Sequence, residues 1–369
     1  MSPLKKYPFY IRATVILLGL IVCCYILFAL RDILIPLSFA LFLAILLNPM
    51  SSLLQRWRLP KIVSIALSLI IAIIVFGGVG YFLFTQMMHF TDQAPVLQKK
   101  STELVSRLQQ FLSDRAGLPL ARQDQYIQEA KAGIEPLIGQ TLGTVVGTMA
   151  TIVLLPVYTF LFLYYKTLIL DFLYEIFSDD NAREVSTVLR QVRSAIQHYM
   201  YGLMLEGLIV AALNSIALLL LGVPYAILLG VLGAILNMLP FIGGILAVLL
   251  PLVIETITKD GFHTQLATII SYIVIQFVDN HFLVPYIVSS KVKINALISI
   301  VIVLLGGAIW GISGMFLSIP FIGVLKIIFD RVPELQPWGR LLGSDVPVRH
   351  RGQLKIRILR KKSSPARHT

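Results

Sequence analysis

The chain has 369 residues, of which 57% are hydrophobic and only 14% charged, with a net charge of +12 and a mean hydropathy of +0.83. Soluble domains hold about 45–50% apolar and about 25% charged residues, so this balance excludes an ordinary soluble globular protein. Apolar runs of about 20 residues, the length that crosses a bilayer core of about 30 Å, recur from end to end and predict an all-α polytopic membrane protein.

The runs predict eight spans, at 12–30, 33–54, 62–86, 142–165, 203–221, 225–254, 264–288 and 296–329. The first follows a basic start, Lys5, Lys6 and Arg12, and no small-residue cleavage site follows it, so it reads as an uncleaved helix. Cys23 and Cys24 are adjacent inside it and are the sole cysteines, which excludes a disulfide framework or a cysteine metal site. Asn48-Pro49 reads as a helix end. Arg56, Arg58 and Lys61 between spans two and three, with the basic start and tail, place both termini in the cytoplasm by the positive-inside rule; Lys291 and Lys293 then fall outside, against that rule.

The first three spans fill 1–88. A polar insertion follows at 89–141, with six basic and six acidic residues; Val96, Leu97, Leu104, Val105, Leu108 and Leu112 form a helical stripe, predicting a small helical element outside the membrane. Span four and a turn occupy 142–177. In 178–202, Ser178 or Asp179 can cap a helix whose apolar face is Val185, Val188, Leu189, Val192, Ile196 and Tyr199. This helix is expected on the cytoplasmic surface, facing anionic lipid or the protein's own underside. The membrane core is 203–329 and a tail is 330–369; from Arg349 to Arg367 the tail carries eight Lys or Arg and no acid, which fits anionic lipid beside a span better than nucleic acid.

Two core spans share a motif. Pro-Phe-Ile-Gly stands at 240–243 and again at 320–323, preceded by Gly230-x-x-Gly233 and Gly311-x-x-Gly314; Asn214 and Gly222 in the first copy pair with Asn295 and Gly306 in the second at drifting spacing. Proline and glycine are common in membrane helices, where glycine allows close packing. Here both motifs sit mid-way along runs of about 30 residues or more, longer than one span requires. A central proline frees a carbonyl, and freed backbone groups at membrane depth must face protein or a watery cavity. Paired interruptions of this kind point to a transport pathway.

Between them, Gln276, Asp279 and Asn280 share one helix face at i, i+3 and i+4, while His281 points elsewhere. An intramembrane Asp costs roughly 2.5–3.5 kcal/mol on insertion scales and marks an interior or pathway; a cluster at a wet helix end is the other reading. Glu206 and Glu255 are expected near span ends, in water. The candidate pathway residues are Asn237, Pro240, Gly243, Gln276, Asp279, Asn280, Gly311, Gly314, Pro320 and Gly323, and no metal or cofactor is expected.

The segments NMLPFIGGILAVLLP, QFVDNHFLVPYIV and GGAIWGISGMFLSIPFIGVLKIIF, with LLNPM near the start, resemble the autoinducer-2 exporter-like transporters of bacterial inner membranes. The resemblance covers nearly the whole chain and is most specific in the last hundred residues. It implies about eight helices, export or exchange of a small solute such as a quorum-sensing signal, or sodium/proton antiport, and assembly into homo-oligomers, pentamers in the family. Where many members carry a proline after the Pro-x-Ile segment, this chain has Lys-Ile-Asn-Ala-Leu at 293–297. A passive channel is the neighbouring alternative. A distant one is an intramembrane serine protease: Gly311-Ile-Ser-Gly314 matches a Gly-x-Ser-Gly motif, with Ser313 as nucleophile, but the histidines after it, His350 and His368, both lie in the tail, and His281 precedes it. The sequence has no zinc-protease motif and no phosphate-binding loop, which argues against an ATP-driven pump.

Overall fold

The computed structural model describes residues 8–92, 153–176, 182–240, 243–259, 261–288 and 294–344, with scattered positions between 99 and 114. The insertion beyond residue 92, the tail beyond 344, and Ser178, Asp179, Phe241, Ile242, Lys291 and Lys293 therefore lie outside the described residues or nearly so. The described chain is helical: α1 (Phe9–Ala29), α2 (Arg31–Arg56), α3 (Lys61–Asp92), α4 (Val153–Tyr164), α5 (Lys166–Ile176), α6 (Ala182–Leu220), α7 (Ala226–Asn237), α8 (Gly243–Thr258), α9 (His263–Val278), a π-helical continuation (Asp279–Val288), α10 (Ala296–Arg331) and α11 (Gln336–Leu342). The sole pairing of extended backbone among these residues is one bridge between Ile294 and Gly343.

Among the described residues, five helices are long and apolar enough, by length and composition, to cross a membrane: α2, α3, α6, α9 with its π continuation, and α10; α4 and α5, bent by 60° about Tyr165, make a sixth if counted as one span. The count of eight is not reached among them, because the apolar part of α1, Ala13–Ala29, is too short for the same test and the run 225–254 is divided into two short helices, which hydropathy does not register. In that run, α7 and α8 are only 12 and 16 residues long, or about 18 and 24 Å. They lie side by side, since a Cβ on Gly233 would sit 3.5 Å from Ala247. Lys259 Nζ then donates to the Leu221 carbonyl at 2.7 Å, so the hairpin leaves and returns at one place.

The second folded run is α10. Ser318 Oγ donates to the Ile302 carbonyl at 3.0 Å, whereas sixteen residues of straight helix would separate them by about 24 Å. The reversal is at Gly311, whose φ of 61° and ψ of −142° are open to glycine and almost nothing else. Its arms, 296–310 and 312–331, touch through glycine: a Cβ on Gly306 would lie 2.6 Å from the Gly314 carbonyl oxygen. Asn295 starts the first arm, its Oδ1 accepting from Leu297 N at 2.9 Å as a side-chain cap. Asn295 N in turn donates to the Leu342 carbonyl at 2.9 Å, closing the root of this hairpin.

These roots lie at opposite ends of one span, because the single helix His263–Val288 joins the two hairpins. The break expected at Pro320 is corrected: helix runs unbroken through Pro320, and the chain turns nine residues earlier. Asn48-Pro49 is likewise no helix end, since α2 continues through Pro36 and Pro49 to Arg56. The surface helix expected over 178–202 and the span expected from 203 are one 39-residue helix, α6. Its early part docks on the protein itself: Gln197 Nε2 and Tyr201 Oη donate to the Ile45 and Leu46 carbonyls at 2.8 and 2.9 Å.

Small apolar clusters hold these elements. Leu218, Val223, Leu229, Ala247 and Ile254 seal the first hairpin against α6 and Tyr272. Phe42, Ile196 and Leu317 join α2, α6 and the second hairpin. By contrast α1 exposes Val15, Leu18, Ile21 and Tyr25, each more than half accessible, as a lipid-facing helix does.

Candidate functional site

Where α6, the first hairpin and α9 meet, they border a partly open cavity of about 730 Å³. Its walls are Leu203 and Glu206 from α6, Asn237 to Pro240 and Gly244 from the hairpin tip, Tyr272, Gln276, Asp279 and Asn280 from α9 and its continuation, and Ile319 from the second hairpin. Tyr199 of α6 adds a phenol, and the rest of the lining is apolar, with Ile245, Val248, Ile269, Ile273, Val284 and Val288.

The polar groups converge on Asp279, which is 2% exposed. Asn237 Nδ2 donates to its Oδ2 at 2.9 Å, and Gln276 Nε2 approaches the same oxygen at 3.4 Å and Asn280 Oδ1 at 3.4 Å. Glu206, 4% exposed, brings its carboxyl within hydrogen-bonding reach of Asp279. A hydrogen bond between two carboxyls needs one proton between them. Asp279 Oδ1 has no partner among the described groups.

Local structure explains the convergence. Pro240 lies in the non-helical turn between α7 and α8, so Asn237 ends its helix and projects from the tip. Gly244 lets α9 approach: a Cβ there would lie 2.5 Å from Gln276 Oε1. Asp279 begins the π-helical stretch of ten residues, which holds Pro285. Such wide turns are rare and concentrate at functional sites.

Of the residues singled out from sequence, Asn237, Pro240, Gln276, Asp279 and Asn280 line the cavity, and Gly243 is buried at the turn beside it. Gly311, Gly314, Pro320 and Gly323 do not line it; they shape the second hairpin, whose Ile319 reaches the wall. The two copies of Pro-Phe-Ile-Gly thus occupy unlike positions, one at a tip and one within an arm. His281 is exposed, bonded through Nδ1 to the Phe277 carbonyl and stacked on its ring, and neither it nor Ser313 borders the cavity.

The expectation that Glu206 and Glu255 are wet is overturned: Glu206 is 4% and Glu255 0% exposed. Because α6 is continuous, Glu206 falls deep inside it rather than at an end. The missed signal was helix length, since no proline interrupts 182–220. No group of three or more His, Cys, Asp or Glu among the described residues is disposed to hold a metal.

The family model for AI-2E family transporters matches residues 14–334. The chain belongs to the AI-2E transporter family. The match takes in both hairpins and every cavity residue. Among AI-2E-like relatives, the AI-2 transport protein TqsA of Escherichia coli (strain K12) is 26% identical over 89% of this chain and 94% of its own. Others are named for transport without a solute: YrrI of Bacillus subtilis (strain 168) is 27% identical over 81% of this chain and 86% of its own, and YhhT of Escherichia coli (strain K12) 23% identical over 86% and 90%. The AI-2E assignment makes this a multi-pass membrane protein with a transport role, and the names of family and relatives are those of transporters rather than enzymes.

Proposed function

We propose that the protein is a secondary transporter that exports or exchanges a small solute across the bacterial inner membrane through this cavity, coupled to a proton or another small cation at Asp279 and Glu206. The observation that carries the reading is the contact between a hairpin tip and an acid pair: Asn237 of the tip is hydrogen-bonded to Asp279, whose neighbour is Glu206. A hydrogen bond to a charged group contributes about 1.5–3 kcal/mol. Changing the proton count of the pair therefore changes what holds the tip down, and a solute polar group that takes the place of Asn237 does the same. The cavity falls in the range of about 300–1,000 Å³ usual for small-molecule sites, and its mostly apolar wall with a few convergent amides suits a small organic molecule with hydroxyl or carbonyl groups.

An autoinducer-2-like signal belongs to that class, and TqsA is named for it. The second reading is a cation/proton antiporter, favoured by the two neighbouring carboxyls, or a passive channel. Both termini in the cytoplasm and assembly as a homo-oligomer, a pentamer as in the family, complete the proposal; light scattering of the purified protein tests the latter.

The deciding experiment uses purified protein in liposomes, with and without imposed proton and sodium gradients, over a panel of small polar solutes. Accumulation of a solute against its own gradient supports the carrier. Downhill flux alone makes the protein a channel. Cation exchange without solute flux makes it an antiporter.

A further inference from the structure

A second acid lies outside the cavity. Glu255 of α8 is fully buried, and Thr268 Oγ1 of α9 donates to its Oε1 at 2.5 Å. Its Oε2 has no partner among the described groups, nor has the hydroxyl of Tyr272, which is 7% exposed. Lys259, four residues on and just past the end of α8, gives its ammonium to the Leu221 carbonyl at 2.7 Å rather than to an ion pair with Glu255. Lys259, just beyond the end of its own helix, and Tyr272, on the helix packed against it, are the titratable groups that act on Glu255. A dehydrated carboxylate with a single hydroxyl donor is costly. A carboxyl that holds a proton, or a carboxylate that holds a small cation, is not.

The surroundings extend the site. Gln265, Thr268, Tyr272, Gln276 and Asp279 recur at steps of three, four, four and three residues, so they share one edge of α9. Five buried side-chain oxygens lack partners among the described residues; three of them, Gln265 Oε1, Tyr272 Oη and Asp279 Oδ1, are on this edge, and a fourth, Glu255 Oε2, belongs to the acid bonded to it. Unpaired buried oxygens are few in native proteins, and at membrane depth they face a polar path or a ligand. From Thr268 to Asp279 the edge runs about 16 Å. Tyr272 stands between and is itself part of the cavity wall.

We propose that Glu255, Thr268 and Tyr272 form a second small-cation site, for a proton or a monovalent metal ion, joined to the Asp279 cavity along this edge of α9. Glutamate supplies the charge, and the two hydroxyls supply hard oxygen donors or pass a proton by giving one and taking another. The proposal rests on the reading of the chain as a cation-coupled transporter and adds the place where the cation waits.

The test is binding rather than flux. Infrared difference spectra of the purified full-length protein, titrated with acid, should show a protonated-carboxyl band that is lost in Glu255→Gln and kept in Asp279→Asn. Thr268→Val leaves the acid in place and should displace the band and move its midpoint by a pH unit or more. It decides the matter if Glu255→Gln does not fold. Sodium added at constant pH, against choline, separates the two cations: erasing the band identifies a metal ion that competes with the proton, and an unchanged band identifies the proton alone. A band untouched by Glu255→Gln, or by Thr268→Val where Glu255→Gln cannot be made, overturns the proposal. Loss of the band in Asp279→Asn instead overturns it too, while leaving the acid pair of the cavity intact. A Glu255 band in a protein that never drives solute uphill sinks the coupled transporter and leaves the site standing.

Discussion

Asn237 Nδ2 and Asp279 Oδ2 lie 2.9 Å apart, and this one bond ties the tip of a helical hairpin to the span that crosses beside it. Their separation in sequence is forty-two residues, and α8 and the whole of α9 lie in the interval. In the proposed transporter, this bond is what lets the protonation of Asp279 and the position of the tip depend on each other.

Asp279→Asn should fold and insert, since amide and acid have the same shape, yet lose uphill flux and its pH dependence while retaining some exchange. Glu206→Gln should do the same, and the double variant should be no worse than either single one, because both act on one shared group. Additive losses in proteoliposome flux would separate the two acids into independent roles.

The glycines of the two Pro-Phe-Ile-Gly copies should now behave differently. A Cβ on Gly243 would strike the Leu236 backbone, whereas a Cβ on Gly323 meets nothing within 4 Å. Gly243→Ala should cost about 1–3 kcal/mol by overpacking, and Gly323→Ala should stay within about 0.5 kcal/mol of the parent. Thermal unfolding of the two purified variants gives the comparison, and equal melting temperatures would contradict it.

Gly311→Ala isolates backbone strain, because a Cβ there would meet nothing within 4 Å while the φ of 61° and ψ of −142° disfavour any side chain. The expected loss is about 1–3 kcal/mol. Proteolysis between the arms should rise in step with it.

Topology is open to cysteine labelling in a chain freed of Cys23 and Cys24. A cysteine at Gln109 should react with an impermeant reagent in intact cells, and one in the tail should not. The opposite pattern would invert the orientation.

Much of the site was legible before the fold. The i, i+3, i+4 spacing of Gln276, Asp279 and Asn280 puts amide and acid on one face whatever lies around them, and the proline after Asn237 forces a break. Glu206 was not legible, because its depth depends on α6 running unbroken from residue 182, a fact of helix continuity rather than of local composition. The place of the second turn was hidden for a related reason. Gly311 and Pro320 are both helix breakers by type, but a proline costs a helix one hydrogen bond and bends it, while reversal needs a φ that only glycine supplies cheaply. The closeness of Glu255 to Thr268 spans thirteen residues and a loop, and no periodicity announces it.

The short arms of the first hairpin bear on how the protein is made. Neither α7 nor α8 is long enough to cross about 30 Å of hydrocarbon unaided. Insertion machinery that reads hydrophobicity alone would take the run as one span and deliver Lys259 to the wrong face. The return of Lys259 to Leu221 is therefore an event of assembly rather than of translocation. It needs α6, made before, as a wall for α7, and it needs α9, made after, to supply Asp279 to Asn237 and Thr268 to Glu255. Until α9 leaves the ribosome, the polar groups of both arms lack their partners. A chain arrested between residues 259 and 263 should be a substrate for membrane quality control, whereas one that extends past Val288 should escape it.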